Sequence, residues 1–123
     1  MKAQMEITAE FLESALQALK EEIFSSLHVA MPGIVQSYDS ERGTAVVQPA
    51  LRRKNAAGET VTAPLLRDVL VFRCSTSGAV ASGTPCLLIF ADFCIDGWFE
   101  TGQPTVPPSP RSHDLSDAFA LIR

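Results

Sequence analysis

The amino-acid sequence predicts a mainly β protein, a small barrel of five to six strands preceded by one N-terminal amphipathic α-helix. Two patterns lead to this prediction. Apolar residues recur at helical spacing near the N-terminus, and short strand-like runs separated by turn residues fill about seventy of the residues that follow. The length of 123 residues is that of one domain, with enough chain for a core that needs neither metal nor disulfide. We expect a helix at 1–28, a barrel at 29–103, and a proline-rich linker with a C-terminal segment at 104–123.

The helix is expected from Ile7 to Leu27. Its apolar residues include a stripe whose members lie alternately four and three positions apart: Met5, Ala9, Leu12, Leu16, Leu19 and Ile23. This spacing is typical of a heptad seam. Two interpretations are open, because the helix could pack on its own domain or associate with copies of itself. A small barrel has little surface for a helix about 30 Å long, which favours self-association, although the seam is too short to distinguish a dimer from a trimer.

Turn residues divide the rest of the chain into strand candidates. The expected strands are Gly33–Tyr38, Thr44–Arg53, Thr60–Ala63, Leu65–Arg73 and Cys86–Asp92. Pro49 indicates an edge position or a bulge in the second strand. The segment Cys86–Asp92 is almost continuously apolar and is expected to be the most buried strand, whereas Phe93–Phe99 is expected to form a short turn or helix. Strands of this number and spacing favour an OB-like barrel over an immunoglobulin sandwich, which needs about 100 residues.

The charge balance argues against binding to nucleic acid. The formal net charge is −4, so the chain has no basic footprint for phosphates. The one basic triplet, Arg52–Lys54, follows a strand and is interpreted as a solvated strand end. Several aromatic residues lie within apolar runs, where core packing explains them, rather than forming a stacking platform.

The cysteine pattern indicates a reducing compartment. Cys74, Cys86 and Cys94 are odd in number and lack the spacing of zinc ligands, so they are interpreted as small buried hydrophobic residues. The N-terminal residues lack the apolar core of a signal peptide, and no segment has the roughly 20 apolar residues of a membrane span. We therefore expect synthesis in the cytoplasm and no stable membrane insertion.

The sequence contains no convincing catalytic or metal-binding pattern. His28 and His113 lack the spacing of metal ligands, and structural or solvated roles are expected for both. Asp92 and Asp96 could converge as paired carboxylates, but their positions suit turn and capping roles better. We expect no enzyme activity, no catalytic residue, no cofactor and no bound metal.

Four segments together resemble one phage protein family. They read MPGIVQSYDSERGTAVVQPALR, PLLRDVLVF, LLIFADFCIDGWF and SHDLSDAFAL, and they span about Val29 to Leu121. In order and spacing they are similar to the N-terminal OB-fold domain of the central spike proteins of phage contractile-tail baseplates, which puncture the host membrane. In longer relatives the last of these segments leads into a spike. Since no such extension follows Arg123, a separate polypeptide is expected to supply the tip, unless this protein is a blunt cap.

The resemblance implies a structural role in the virion. A homotrimer would stand on the tail axis in the tail baseplate, dock below the baseplate hub protein and cap the tail tube. Sheath contraction would then drive the tube and its spike through the host cell envelope. A spike-tip protein and the tape-measure protein are further expected partners. The alternative is a monomeric OB-fold module that binds oligonucleotide or carbohydrate, which would need exposed aromatic residues and positive charge along one groove.

The heptad seam of the helix and the implied homotrimer select the residues that are expected to form oligomer contacts. On the helix these are Leu12, Leu16, Leu19 and Ile23, and in the C-terminal inter-subunit segment they are Asp114, Leu115, Asp117, Phe119 and Leu121. Within the barrel, Phe90, Trp98 and Phe99 are expected as core anchors and Asp96 as a turn former.

Overall fold

The chain folds as a barrel with one long helix before it. The computed structural model describes the backbone of residues 2–73 and 79–123 and the side chains of residues 8–73 and 79–123. Its elements are α1 (Lys2–Ser26), β1 (Ala30–Asp39), β2 (Thr44–Pro49), β3 (Arg53–Lys54), β4 (Thr60–Val61), β5 (Leu66–Arg73), β6 (Pro85–Phe90), α2 (Asp96–Thr101) and β7 (Ala118–Ile122). The predicted class is confirmed. Cys74 and the side chain of Met5, both used in the sequence analysis, lie outside the described residues.

Five strands close into a small OB-like barrel in the order β1-β2-β5-β7-β6, with β6 returning to β1. All neighbouring pairs are antiparallel except β5 and β7, which run parallel. The short strands β3 and β4 form a separate two-stranded hairpin between β2 and β5. The second strand expected from the sequence is therefore shorter than predicted, since β2 ends at Pro49 and the hairpin begins at Arg53. A closed barrel has no free edge, and Pro49 is accommodated because it is the last residue of its strand.

The core fills the barrel with side chains from alternate strand positions. Val35, Val47, Val69 and Leu88 are its largest fully buried apolar members apart from Pro49. Gly33 in β1 lies against two of them, and a Cβ atom there would come within 2.8 Å of Val47 Cγ1 and 2.9 Å of Leu88 Cδ1. Glycine is thus required by the close approach of β1 to the core.

The β1–β2 turn follows from its sequence. The carboxylate of Asp39 accepts hydrogen bonds from the backbone N–H groups of Glu41 and Arg42 at 3.0 and 3.3 Å. Gly43 completes the turn with φ = 67°, a left-handed conformation that favours glycine. The turn predicted between the first two strands is confirmed.

The apolar strand β6 is not the most buried one, which corrects the sequence-based expectation. Its side chains alternate between buried and exposed, and the two exposed aliphatic residues, Leu87 and Ile89, retain 42% and 41% of their accessible surface. In β2, by contrast, no residue is exposed. An uninterrupted apolar run therefore did not mean that both faces of the strand are covered within this chain.

The last strand also lies where the sequence did not place it. Strand β7 pairs parallel with β5 and antiparallel with β6, so it closes the barrel of its own chain. The barrel therefore extends past the expected boundary at residue 103. Residues 102–117 form the connection from α2 back to the barrel.

Candidate assembly surfaces and the Arg111 cluster

The predicted contact residues of α1 form one exposed apolar stripe. Leu12, Leu16, Leu19 and Ile23 are between 50% and 57% exposed, and their spacing places them on one face of the helix. Every α1 side chain from Thr8 to Ser26 is exposed. Over these residues the helix does not pack on its own barrel, which answers one of the two interpretations left open by the sequence.

The C-terminal end of α1 is joined to the β3–β4 hairpin. Arg53 Nη1 donates a hydrogen bond to the carbonyl oxygen of Ser25 at 3.1 Å. The last turn of α1 has no basic residue of its own, so Arg53 supplies the positive charge that stabilises a helix C-terminus. One residue of the basic triplet, Arg53, thus has a structural role.

An apolar groove lies between this end of the helix and the barrel. It has a volume of about 630 Å³. Its apolar lining includes Phe24, Leu27, Met31, Val61 and Leu115, and Arg52 and Arg53 lie at the same site. Leu115, a predicted contact residue, is half-buried and packs against the core of its own barrel.

A second uncovered apolar surface lies on the barrel, and we call it the outer barrel face. It consists of the outward-pointing residues of four neighbouring strands: Ala30, Pro32 and Ile34 of β1, Pro85, Leu87 and Ile89 of β6, Phe119 and Leu121 of β7, and Leu70 and Phe72 of β5. The strand register places them side by side, since Pro32 and Leu121 both pair with Leu87, and Leu121 also pairs with Phe72. None of these residues is polar or charged, although the same strands also carry exposed polar residues, Gln36 and Ser37 of β1 and Arg67 and Asp68 of β5.

Aromatic rings cover one end of the outer barrel face. The ring of Phe119 lies 5.6 Å from that of Phe72 and 5.9 Å from that of Trp98, measured between centroids. Trp98 belongs to α2 and is 36% exposed, so the prediction that it anchors the core is wrong. Phe90 is buried in the core as predicted, and Phe99 is half-buried.

A buried charge cluster fastens the connection before β7. Asp117 is fully buried, and Arg111 binds its carboxylate in a bidentate manner, with Nε donating to Oδ2 at 3.1 Å and Nη2 to Oδ1 at 2.9 Å. The backbone N–H of Ile95 donates to the same carboxylate at 3.1 Å. The hydrogen bonds to Asp117, and next those to Asp96, raise the pKa of Arg111 further above its usual range. Both oxygens of the buried Asp117 carboxylate are thus paired by hydrogen bonds, as a buried polar group requires.

The same cluster contains three potential metal-ligand atoms. One ligand atom each from Cys94, Asp96 and Asp117 lie within 4.8 Å of one another. The Nη2 atom of Arg111 contacts all three residues, at 3.0 Å from Cys94 Sγ, 3.2 Å from Asp96 Oδ2 and 2.9 Å from Asp117 Oδ1. The guanidinium already supplies the positive charge at this position, so the cluster is explained as a charge-paired latch. Asp96, predicted to form a turn, is the first residue of α2.

The two histidines connect the end of α1 to the segment before β7. His28 donates its backbone N–H to the carbonyl of His113 at 3.1 Å, and His113 Nδ1 lies 3.1 Å from the carbonyl oxygen of His28. The ring of His28 packs 5.6 Å from that of Phe90. Nε2 of His113 is 3.6 Å from Asp92 Oδ1. These contacts match the structural roles expected for both histidines.

Asp114 caps the turn that leads into β7. Its Oδ1 accepts the backbone N–H of Ser116 at 2.8 Å, and its own carbonyl accepts the N–H of Asp117 at 3.0 Å. The hydrogen bond from the Ser116 backbone is the main cause of a lowered pKa of Asp114. Among the described residues, no buried side-chain nitrogen or oxygen lacks a hydrogen-bond partner.

The predicted contact residues of the C-terminal segment therefore divide into two groups. Asp114, Leu115 and Asp117 make contacts within their own chain, and Asp117 has no exposed surface. Phe119 and Leu121 lie on the outer barrel face. Oligomer contacts remain a prediction for this segment and for α1. Leu87, Ile89 and Phe72 were not predicted to lie at the surface, because apolar runs in the sequence were assigned to the core.

These features define a small OB-like barrel protein with two uncovered apolar surfaces, the α1 stripe and the outer barrel face. The chain belongs to the family described as phage protein Gp138 N-terminal domain, whose model matches residues 31–123. The resemblance to the N-terminal domains of phage baseplate spike proteins is thereby confirmed, and the protein is a phage structural protein and a virion component. Helix α1 lies before the matched residues.

The search of curated proteins returned no match to the chain. Among the described residues, no helix is both long enough and apolar enough to cross a membrane.

Proposed function

We propose that this protein is a trimeric connector of a phage or phage-like tail baseplate. Three copies cap the tail tube and carry or form the tail tip that penetrates the host envelope. Membership of the phage family and the uncovered apolar stripe of α1 support this proposal, and the stripe is the observation that carries it.

The stripe supports self-association because its exposure is costly in water. Full burial of one Leu or Ile side chain is worth roughly 1.5–3 kcal/mol. The stripe residues of α1 are each half exposed or more, so covering them recovers a substantial part of that free energy for each residue. Parallel copies of α1 cover the stripe of each helix with those of its neighbours, as in a coiled coil.

The mechanism we propose is mechanical. The connector transmits the force of sheath contraction from the tube to the tip, so its task is to hold three chains together under load. The proposed partners are the baseplate hub protein on one side and a spike-tip protein on the other, with the tape-measure protein near α1. The proposal includes no catalytic step, no nucleic-acid ligand and no stable membrane insertion.

A monomeric OB module that binds oligonucleotide or carbohydrate is the alternative. Such a module needs aromatic residues and positive charge in one groove. Here the groove beside the end of α1 does combine the exposed Phe24 with Arg52 and Arg53, whereas the exposed aromatic residues Phe72 and Trp98 lie elsewhere, on β5 and α2. A polarisation titration with labelled single-stranded DNA and with a labelled oligosaccharide tests this alternative directly.

The test of the connector is the mass in solution. Sedimentation equilibrium of the full chain is expected to give about three times 13.3 kDa. The double variant Leu16→Asp/Leu19→Asp places two charges on the stripe and is expected to shift the mass toward the monomer. The matched control Ser14→Asp/Gln17→Asp adds the same charge to the polar face of α1 and is expected to keep the wild-type mass. A wild type that sediments as a monomer at all concentrations contradicts the proposal.

A further inference from the structure

We propose that the apolar groove at the C-terminal end of α1, together with a cavity that adjoins it, binds an apolar segment of a second protein that carries carboxylate groups. We call the groove and the adjoining cavity the cleft. This inference rests on the proposed function, because it gives the chemistry of a partner that the connector holds. Its test is a binding measurement, which is separate from the number of copies that assemble.

Two cavities form the cleft. The groove has a volume of about 630 Å³, and the second cavity, between the end of α1, the start of β5 and the segment before β7, has a volume of about 670 Å³. His28, Pro64 and Leu115 line both cavities, so the two adjoin. Pockets for small ligands have volumes of about 300–1,000 Å³, and the two cavities together exceed that range. The size of the cleft therefore favours a peptide segment over a small molecule.

The lining of the cleft is mainly aliphatic. Leu51, Val61 and Phe24 line it and are 56%, 46% and 65% exposed. Among the described residues that line the cleft, Phe24 and His28 are the only aromatic ones. Nucleic-acid sites on OB folds stack successive bases on several aromatic side chains. The aliphatic lining therefore favours the apolar side chains of a protein segment over the bases of a nucleic acid.

The charges at the cleft are mainly positive. Arg52, Arg53 and Arg67 line it, and Asp114 is the one acidic residue among its described lining residues. The carboxylate of Asp114 already accepts the backbone N–H of Ser116 at 2.8 Å. The whole chain has a formal net charge of −4, so the cleft differs in sign from the molecule that contains it. A partner segment with carboxylates complements this local charge.

Arg52 is the residue best suited to bind such a carboxylate. It is exposed, and its side chain makes no hydrogen bond or ion pair with the described residues. Arg53 uses Nη1 for the carbonyl oxygen of Ser25 and has further N–H groups that can donate. Guanidinium groups bind carboxylates through paired hydrogen bonds. The two arginines thus provide donors beside the aliphatic lining.

A second protein fits the cleft better than another copy of this chain. The proposed self-association uses the α1 stripe, and none of the stripe residues lines the cleft. The stripe and the cleft therefore use different residues, so one chain can contact a copy of itself and a different partner. A connector needs both kinds of contact.

Fluorescence polarisation of labelled peptides tests the proposal on the full-length chain. The peptides have equal length and alternate Leu with Glu, with Gln or with Lys. We expect wild type to bind the Leu/Glu peptide about tenfold more tightly than the Leu/Lys peptide, because like charges repel in the second case. Arg52→Glu is expected to weaken binding of the Leu/Glu peptide about tenfold and to strengthen binding of the Leu/Lys peptide.

Two further variants separate charge from apolar contact. Arg123→Glu makes the same charge change at an exposed residue outside the lining of the cleft and is expected to match wild type. Leu51→Ser removes an exposed apolar side chain of the cleft and is expected to weaken binding of all three peptides. Circular dichroism checks the fold, and Arg52→Gln replaces Arg52→Glu if that variant unfolds.

The outcomes distinguish the possible occupants. Preference for the Leu/Glu peptide that is lost in Arg52→Glu and kept in Arg123→Glu supports the proposal, whereas equal binding of the three peptides overturns it. A lower sedimenting mass for Arg52→Glu than for Arg123→Glu identifies the cleft as a contact between copies and also overturns it. Binding to phosphatidylglycerol vesicles without binding to the Leu/Glu peptide identifies an anionic lipid as the ligand, with the same consequence.

Failure of this inference and failure of the proposed function give different results. A wild type that sediments as a monomer but binds the Leu/Glu peptide through Arg52 overturns the connector and supports the cleft. A wild type that sediments as a trimer but binds the three peptides equally overturns the inference, and the connector stands.

Discussion

Arg111 holds three parts of the chain together through one guanidinium group. It precedes β7 in sequence, pairs with the buried Asp117 at the start of that strand, and contacts Asp96 of α2 and Cys94. A buried carboxylate that loses its cation is strongly destabilising, whereas replacement of the whole pair by apolar residues is often tolerated. Loss of Arg111 alone is therefore expected to destabilise the fold strongly.

We expect Arg111→Ala to lower the free energy of unfolding by about 3–5 kcal/mol, because Asp117 is left buried with the Ile95 N–H as its remaining partner. Urea unfolding followed by Trp98 fluorescence measures this change. The exposed Arg67→Ala is the matched control, with an expected change within about 0.5 kcal/mol. The double variant Arg111→Met/Asp117→Leu is expected to recover part of the loss. If Arg111→Ala changes the free energy of unfolding no more than Arg67→Ala does, the Arg111 cluster does not stabilise the fold.

Asp114 is expected to make a contribution to folding stability that depends on pH. Its pKa is lowered in the folded protein, mainly by the N–H of Ser116, with smaller effects from Arg111 and His28. Its stabilisation is thus present above the unfolded-state pKa, about 3.9, and is lost as the pH falls through the folded-state pKa. We expect Asp114→Ala to cost about 1 kcal/mol at pH 7 and to differ less from wild type below pH of about 4.

Urea unfolding of wild type and Asp114→Ala between pH 3 and pH 7 measures this difference. Asp114→Asn is the control, because it keeps an acceptor oxygen for the Ser116 N–H without a titrating charge. The assignment is contradicted by a stability difference between wild type and Asp114→Ala that stays constant over this range.

At the scale of elements, sequence patterns predicted the features that interactions between residues close in sequence determine. The heptad spacing of α1, the Asp39–Gly43 turn and the approximate positions of β1 and β5 follow from side-chain periodicity and turn chemistry. That β7 belongs to the barrel of its own chain could not be predicted from such patterns. Its parallel pairing with β5 joins Phe119 to Leu70, far apart in sequence, and no short-range pattern encodes that register.

Of the two candidate assembly surfaces, likewise, the sequence predicted one and not the other. The α1 stripe was predictable because a helix exposes its periodicity directly in the sequence. The outer barrel face was not, since Leu87 and Ile89 are chemically indistinguishable from core residues and their exposure depends on which neighbours the barrel places beside them. Arg111 was missed for a related reason, because its partner Asp117 becomes buried only when β7 enters the barrel.

At the scale of the whole molecule, α1 and the barrel each have an apolar surface that a single chain does not cover. Residues 31–123 form the family domain, while the long helix before them has an uncovered apolar stripe. Both the α1 stripe and the outer barrel face are exposed within a single chain, and the proposed trimer would cover the stripe. Assembly is therefore expected to contribute to the stability of each subunit, which links oligomeric state and folding in one equilibrium.

This linkage predicts that the thermal midpoint rises with protein concentration. For a trimer that unfolds as it dissociates, each tenfold increase in concentration stabilises a subunit by about 1 kcal/mol, which corresponds to a shift of several degrees for a chain of this size. Calorimetry of wild type over a hundredfold range of concentration measures the shift, and the control Ser14→Asp/Gln17→Asp is expected to behave in the same way. Leu16→Asp/Leu19→Asp is expected to unfold at a lower midpoint that depends less on concentration, because the charges weaken the proposed contacts between copies of α1. A wild-type midpoint that is constant over that range contradicts the coupling, since the contacts between copies would then add nothing to the stability of the fold.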